Sequence, residues 1–259
     1  MEWISNPEIW ASFLTLVVME IVLGIDNIVF ISIITDKLPA IQQRKARILG
    51  LALALIVRII LLMSITWVMT LTQPLFNIGD WIGIEGEWHE RLSISGRDLI
   101  LITGGMFLLY KSIKEIHGGL EGELDDENNS TKKLSFTQTI IQIGILDLVF
   151  GLDSVITAVG MADHVEIMIA AVVISMIFMI LTVNSVSDFI SKHPSIKILA
   201  LSFLLLIGIS LIAEGVEQPI AKGYIYFAMG FSIFVEFLVI RTNSKKKEKP
   251  VTLKKMMNE

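Results

Sequence analysis

Apolar residues in this chain come in runs of membrane length. A bilayer-spanning helix needs about 20 mostly apolar residues, and seven stretches meet that length, at about 9–35, 46–72, 98–115, 136–160, 165–187, 196–214 and 220–240. In hydrocarbon every backbone N–H and C=O must be satisfied internally, so a chain of this pattern is restricted to helices or a closed barrel, and runs this long favour helices. The composition agrees. Hydrophobic residues make up 53% and charged residues 18%, against a usual charged share of about 25% in soluble domains. The charges lie between the apolar runs instead of being interspersed at helical period. There is no cysteine, which excludes disulfides, thiolate metal sites and sulfur redox chemistry. The N-terminal Met1-Glu-Trp-Ile-Ser-Asn-Pro-Glu8 has no basic residue, so it lacks the positive region of a secretory signal, and the first apolar run is expected to remain in the mature protein.

Orientation is read from Lys and Arg. All but four of the 21 basic residues fall in or beside the loops 36–45, 111–133 and 188–197 and the tail from 241; the exceptions are Arg58, Arg91, Arg97 and Lys222. The positive-inside rule then places the N-terminus outside and the C-terminus in the cytoplasm. Seven spans require termini on opposite sides, in agreement. Trp3, Trp10, Trp67, Trp81 and Trp88 lie in or near segment ends on one side, as an aromatic belt would. Residues 116–134 are acidic and Gly-containing, and read as a cytoplasmic linker. The Lys-rich tail 241–259 reads as a solvated segment touching anionic lipid rather than nucleic acid. His117 beside the acidic run 121–127 could form a metal-capture patch, but a solvated linker is the simpler reading. The sequons at Asn128 and Asn129 fall on the cytoplasmic side and carry no weight.

Two of the apolar runs contain the same phrase. Glu20-Ile-Val-Leu-Gly24-Ile-Asp26-Asn27 and Asp147-Leu-Val-Phe-Gly151-Leu-Asp153-Ser154 both read carboxylate, three apolar residues, Gly, one apolar residue, carboxylate, small polar residue. Position 147 follows 20, and 153 follows 26, by the same 127 residues; Asp36 and Asp163 extend the match. Each copy opens a group of three spans, and because three is odd the groups have opposite orientation. The expected fold is therefore all-α and integral to the membrane. It has seven transmembrane helices: a first three-helix repeat (1–115), the linker (116–134), a second, inverted repeat (135–217), a seventh helix (218–240) and the tail. Inverted repeats with polar residues at matching depth are an architecture of secondary transporters.

A carboxylate in hydrocarbon is costly unless protonated, paired or bound to a cation. On an unbroken helix residues seven apart share a face. Glu20 therefore aligns with Asn27, and Asp147 with Ser154, while Asp26 and Asp153 sit about 100° to one side. Gly24 and Gly151 would let the helix unwind and expose carbonyls, or would let another helix pack closely; both uses stay open. If the two motif helices cross, Glu20, Asp26, Asn27, Asp147, Asp153 and Ser154 converge as candidate metal ligands. Carboxylate, amide and hydroxyl oxygens without sulfur or imidazole suit Mg²⁺, Ca²⁺ or Mn²⁺, and the negative charge would permit proton coupling. Arg58 is expected to pair with a motif carboxylate or to snorkel, with Asn184 as a further polar neighbour. Glu236 is expected to pair with the tail.

These motifs resemble the TerC family of integral membrane proteins. The resemblance covers nearly the whole chain and also rests on His193-Pro-Ser-Ile-Lys-Ile-Leu-Ala-Leu-Ser202 and Lys222-Gly-Tyr-Ile-Tyr-Phe-Ala-Met229. These last phrases are similar to the compact bacterial inner-membrane branch, without C-terminal regulatory domains. The resemblance implies metal-ion efflux, with Mn²⁺ the leading cargo, the six motif residues as its site, no bound cofactor and no catalysis. Two alternatives remain: a membrane scaffold or assembly factor, which leaves the matched carboxylates unexplained, and an intramembrane aspartyl hydrolase, whose Tyr-Asp and Gly-x-Gly-Asp signatures are missing here.

Overall fold

The computed structural model describes residues 7–77, 83, 93–121, 135–160 and 164–243. Trp3, Trp81, Trp88, Arg91, Asp163, the acidic run from 122 and the tail from 244 lie outside the described residues.

Helices dominate, as the apolar runs require. They are α1 (Pro7–Thr35), α2 (Ala40–Met63), α3 (Ile65–Thr70), α4 (Gly96–Glu121), α5 (Phe136–Val159), α6 (Val165–Lys192), α7 (Pro194–Gly215) and α8 (Lys222–Asn243). Six of these, α1, α2, α5, α6, α7 and α8, are long and apolar enough to cross a membrane. α4 has spanning length but carries Arg97, Asp98, Lys111, Lys114 and Glu115 towards its ends. Ion pairs tie those ends to opposite sides of the bundle: Lys37, just beyond α1, pairs with Glu115, and Glu214 at the end of α7 pairs with Arg97. From Arg97 to Glu115 the helix rises about 27 Å, close to the thickness of a hydrocarbon core.

Several boundaries differ from the expected ones. α2 begins at Ala40, directly after Pro39, so Arg44 and Lys45 are helical and not in a loop. α2 ends at Met63, with Ser64 as its cap, and the short α3 carries the chain on to Thr70. α4 and α6 each run several residues past their apolar segments, so His117 is helical. A two-stranded antiparallel hairpin, β1 (Pro74–Asn77) with β2 (Ser93–Ser95), interrupts the all-helical pattern. It leads into α4 through a side-chain cap: Ser95 donates from N and Oγ to Asp98 Oδ2 at 2.9 and 2.6 Å, and Asp98 N donates to Ser95 Oγ at 3.2 Å. This reciprocal pairing satisfies donors that a helix N-terminus leaves open. Ser135 and Gln138 form the equivalent capping box on α5. α6 and α7 meet at His193 alone, with Pro194 in the first turn of α7, where its missing N–H costs nothing.

Packing is organised across the sequence halves. α1 lies on α6, α2 on α5 and α6, and α4 on α7. One buried cluster joins α1, α2, α5 and α6 through Leu16, Leu51, Leu62, Ile143 and Met176. A second joins α1, α4, α5 and α7 through Phe30, Ile34, Leu108, Leu146 and Leu204. The α4–α7 seam brings backbone to backbone: a Cβ on Gly105 would lie 2.6 Å from Gly208 O, and one on Gly215 would lie 2.9 Å from Asp98 O. The outer surface is apolar, with Ile41, Met63, Leu181, Tyr224 and Phe227 largely exposed, as lipid-facing positions are.

Candidate cation site

The motif helices stay helical through both glycines, so of the two uses open to them unwinding does not occur. Gly24 serves close packing instead: a Cβ there would lie 2.2 Å from Met179 Sδ on α6. Gly151 faces Arg58, whose Cγ would be 3.5 Å from an added Cβ.

All six motif residues are buried, at 4–6% exposure, but they do not form a single ligand cage. They fall into two groups, and the 100° offset between faces accounts for all of them but Ser154, which shares a face with Asp147 yet lines the cavity with Asp26 and Asp153. In the first, Arg58 of α2, only 1% exposed, is the hub. Its Nη1 donates to Glu20 Oε2, and its Nη2 lies 3.5 Å from Asp147 Oδ1. Asn27 Nδ2 donates to the same Asp147 oxygen at 3.2 Å. Arg58 thus pairs with a carboxylate from each motif copy, and the snorkelling alternative is excluded by its burial.

The second group surrounds a cavity of about 50 Å³. Asp26, Asp153 and Ser154 line it together with Arg58, Ser210, Glu214, Lys222 and Tyr226. Asp153 accepts a hydrogen bond from Arg97 Nη2 at 2.9 Å and one from Lys222 Nζ. Glu214 accepts from Arg97 and lies 4.0 Å from Lys222 Nζ. Asp26 Oδ1 is buried without a hydrogen-bond partner. Among the described residues no group of three or more His, Cys, Asp and Glu is placed to hold a metal ion as it stands; Asp153 and Glu214 are occupied by the protein's own cations. Ser154 donates to Gly151 O at 3.2 Å and lines the cavity as a further oxygen.

Asp36 belongs elsewhere. It accepts from Ser191 at 3.0 Å, and Arg47 and Lys197 lie 3.4 and 3.8 Å away, at the end of the bundle opposite Arg97. Arg47 also reaches Thr35 and Asp188, locking α1, α2 and α6 together there. Asn184 keeps a buried Oδ1 without a hydrogen-bond partner.

Arg97, Glu214 and Lys222 were absent from the sequence-derived site, although a signal for two of them was present. Arg97 and Lys222 are among the few basic residues on the side that the positive-inside rule depletes, and an exception of that kind asks for a carboxylate partner.

Comparison with known proteins follows the same lines. The model of the integral membrane protein TerC family matches residues 5–250. A UPF0053 protein of Haemophilus influenzae is 52% identical over 240 residues, covering 93% of this chain and 97% of that protein. The UPF0053 inner membrane protein YgdQ of Escherichia coli is 51% identical over 243 residues, covering 94% and 97%. The UPF0053 inner membrane protein YoaE of Escherichia coli is 52% identical over 236 residues, which are 91% of this chain but 43% of that longer protein. No solved structure matches. With residues 5–250 matched by the family model, and with relatives about 50% identical over most of its length, the chain belongs to the TerC family of integral membrane proteins.

Proposed function

We propose that this protein is a secondary transporter that exports a divalent cation, with Mn²⁺ the leading cargo, across a bacterial inner membrane. The observation that carries the reading is the doubled acidic motif. Its carboxylates are buried in helices of spanning length, and one from each copy, Asp26 and Asp153, faces a common cavity. Oxygen donors alone favour hard divalent ions. A cavity of about 50 Å³ has room for a largely dehydrated ion with roughly two waters. The site holds cargo and performs no reaction.

The transport reading includes seven spans, with α4 counted as the third because its two ends are tied to opposite ends of the bundle. It also includes an inverted repeat that pairs α1, α2 and α4 with α5, α6 and α7. The packing supports this: the first helix of each half lies on the second of the other, and the third lies on the third, as an approximate two-fold would require. The names of YgdQ and YoaE as inner membrane proteins support the location. The basic residues favour an outward N-terminus and a cytoplasmic C-terminus.

The test is manganese content per cell in a manganese-sensitive strain. Cells with the intact protein should hold less than cells carrying Asp26→Asn plus Asp153→Asn at equal membrane abundance. Equal content in both would reject manganese export through this site. Full cellular function of the neutralised variant would favour the assembly-factor reading.

A further inference from the structure

Three carboxylates bound the cavity, and their partners differ. Asp153 and Glu214 share Arg97 and Lys222, while Asp26, 6% exposed, leaves Oδ1 without a hydrogen bond. A buried carboxylate oxygen with no donor is costly, and here it belongs to a residue that lines a cavity shared with Asp153 and Glu214. Glu20 and Asp147 stand apart. Their cation is Arg58, which is 1% exposed, borders the cavity and remains charged at any physiological pH. It holds Glu20 and Asp147 Oδ1, while Asp147 Oδ2 is left without a hydrogen bond.

Lys222 is placed differently. It is the first residue of α8 and follows the exposed turn 216–221, in which Glu217 takes φ 56°. Its side chain is 30% exposed, against 18% for Arg97. A lysine ammonium on a flexible four-carbon stem can withdraw to water more readily than a guanidinium held by two acceptors. Building on the transport reading, we propose that the cargo position is bounded by Asp26, Asp153 and Glu214. In the ion-free state the ammonium of Lys222 occupies it, as a tethered cation that the metal must displace.

Charge supports the exchange. With the three carboxylates ionised and Arg97 in place, a lysine leaves the cavity one positive charge short of neutrality. A divalent ion in place of the lysine makes it neutral, and a monovalent ion gains nothing over the lysine. Burial of net charge is what a low-dielectric site penalises, so the exchange itself selects for a doubly charged ion. An ammonium lodged between Asp153 and Glu214 also accounts for the absence, among the described residues, of a ready-made three-ligand cluster. Ser154 and Ser210 line the same cavity and supply further oxygens.

The experiment is Mn²⁺ binding to the purified full-length protein in lipid nanodiscs, with free Mn²⁺ read by its paramagnetic resonance signal. Lys222→Gln removes the competitor and should tighten apparent binding by about tenfold, a modest factor because the lysine is partly solvated. Lys222→Arg should weaken it, because a guanidinium grips two carboxylates more firmly. Glu214→Gln should weaken it by about tenfold as well. The order Gln, native, Arg at position 222 is the expected result, and it holds the proposal open to failure even if one variant folds poorly. Loss of binding in Asp153→Asn with native affinity in Lys222→Gln and Glu214→Gln would overturn this inference and leave the transport reading intact. A native protein that binds none of Mn²⁺, Mg²⁺ or Ca²⁺ would overturn both.

Discussion

Arg58 sits between Glu20 and Asp147 with 1% of its surface exposed. Removing one member of a buried charge group is far more damaging than replacing the whole group, because the remaining charges are left uncompensated. Arg58→Ala should therefore cost about 3–5 kcal/mol, read as a large drop in the detergent melting temperature. Arg58→Met combined with Glu20→Gln and Asp147→Asn should recover much of it. The motif acids and Arg58 were legible in the sequence because a charge inside an apolar run has no ordinary explanation. Their division into two groups was not legible. Seven-residue spacing gave the faces, but which face meets Arg58 depends on where α2 lies against α5. Glu214, Arg97 and Lys222 escaped because they sit at segment ends, where charges are common.

Helix seams carry the packing. At Gly105 an added Cβ would meet the backbone oxygen of Gly208 at 2.6 Å and Ile212 Cγ1 at 2.7 Å. Backbone cannot step aside, so Gly105→Ala should destabilise by about 1–3 kcal/mol, the usual range for overpacking, in a thermal or denaturant melt. Gly230 on α8 has nothing within 4 Å, and Gly230→Ala should be neutral or slightly stabilising through helix propensity. Gly24 is intermediate, since the atom in its way is the flexible thioether of Met179. The long helices were readable from run length alone. The hairpin of Pro74–Asn77 with Ser93–Ser95 was not, because its two short strands pair across a wide gap in sequence and neither alternates over enough residues to register. The early start of α2 was missed because Ile41-Gln-Gln-Arg-Lys45 is polar helix, invisible to an apolar-run criterion.

At the scale of the whole molecule, the two ends of the bundle differ in charge chemistry. One end gathers Asp36, Lys37, Arg47, Glu115 and Lys197, and the other gathers Arg97, Asp153, Glu214 and Lys222. The native chain has no cysteine, so single cysteines report topology without background. Glu217→Cys should react with a membrane-impermeant maleimide added to the periplasmic side of intact cells, whereas Lys192→Cys should react only after permeabilisation. Labelling of both from the same side would contradict an odd number of crossings between the α6–α7 joint and the α7–α8 turn. The doubled motif was visible in sequence as a constant offset between its copies. The same offset fails at the seams, where Gly105 meets Gly208, because the connections within the two halves differ in length.

The Glu20–Arg58 contact bears on how the chain is made. α1 delivers Glu20 and α2 the matching guanidinium, so the first two helices reach the insertion machinery with that pair complete, while Asp26 of α1 has no cation on α2. α5 brings Asp147 later, to a guanidinium already in place. Biogenesis would then have a direction: the leading hairpin carries the Glu20–Arg58 pair, and a later helix brings Asp147 to a countercharge that is already there.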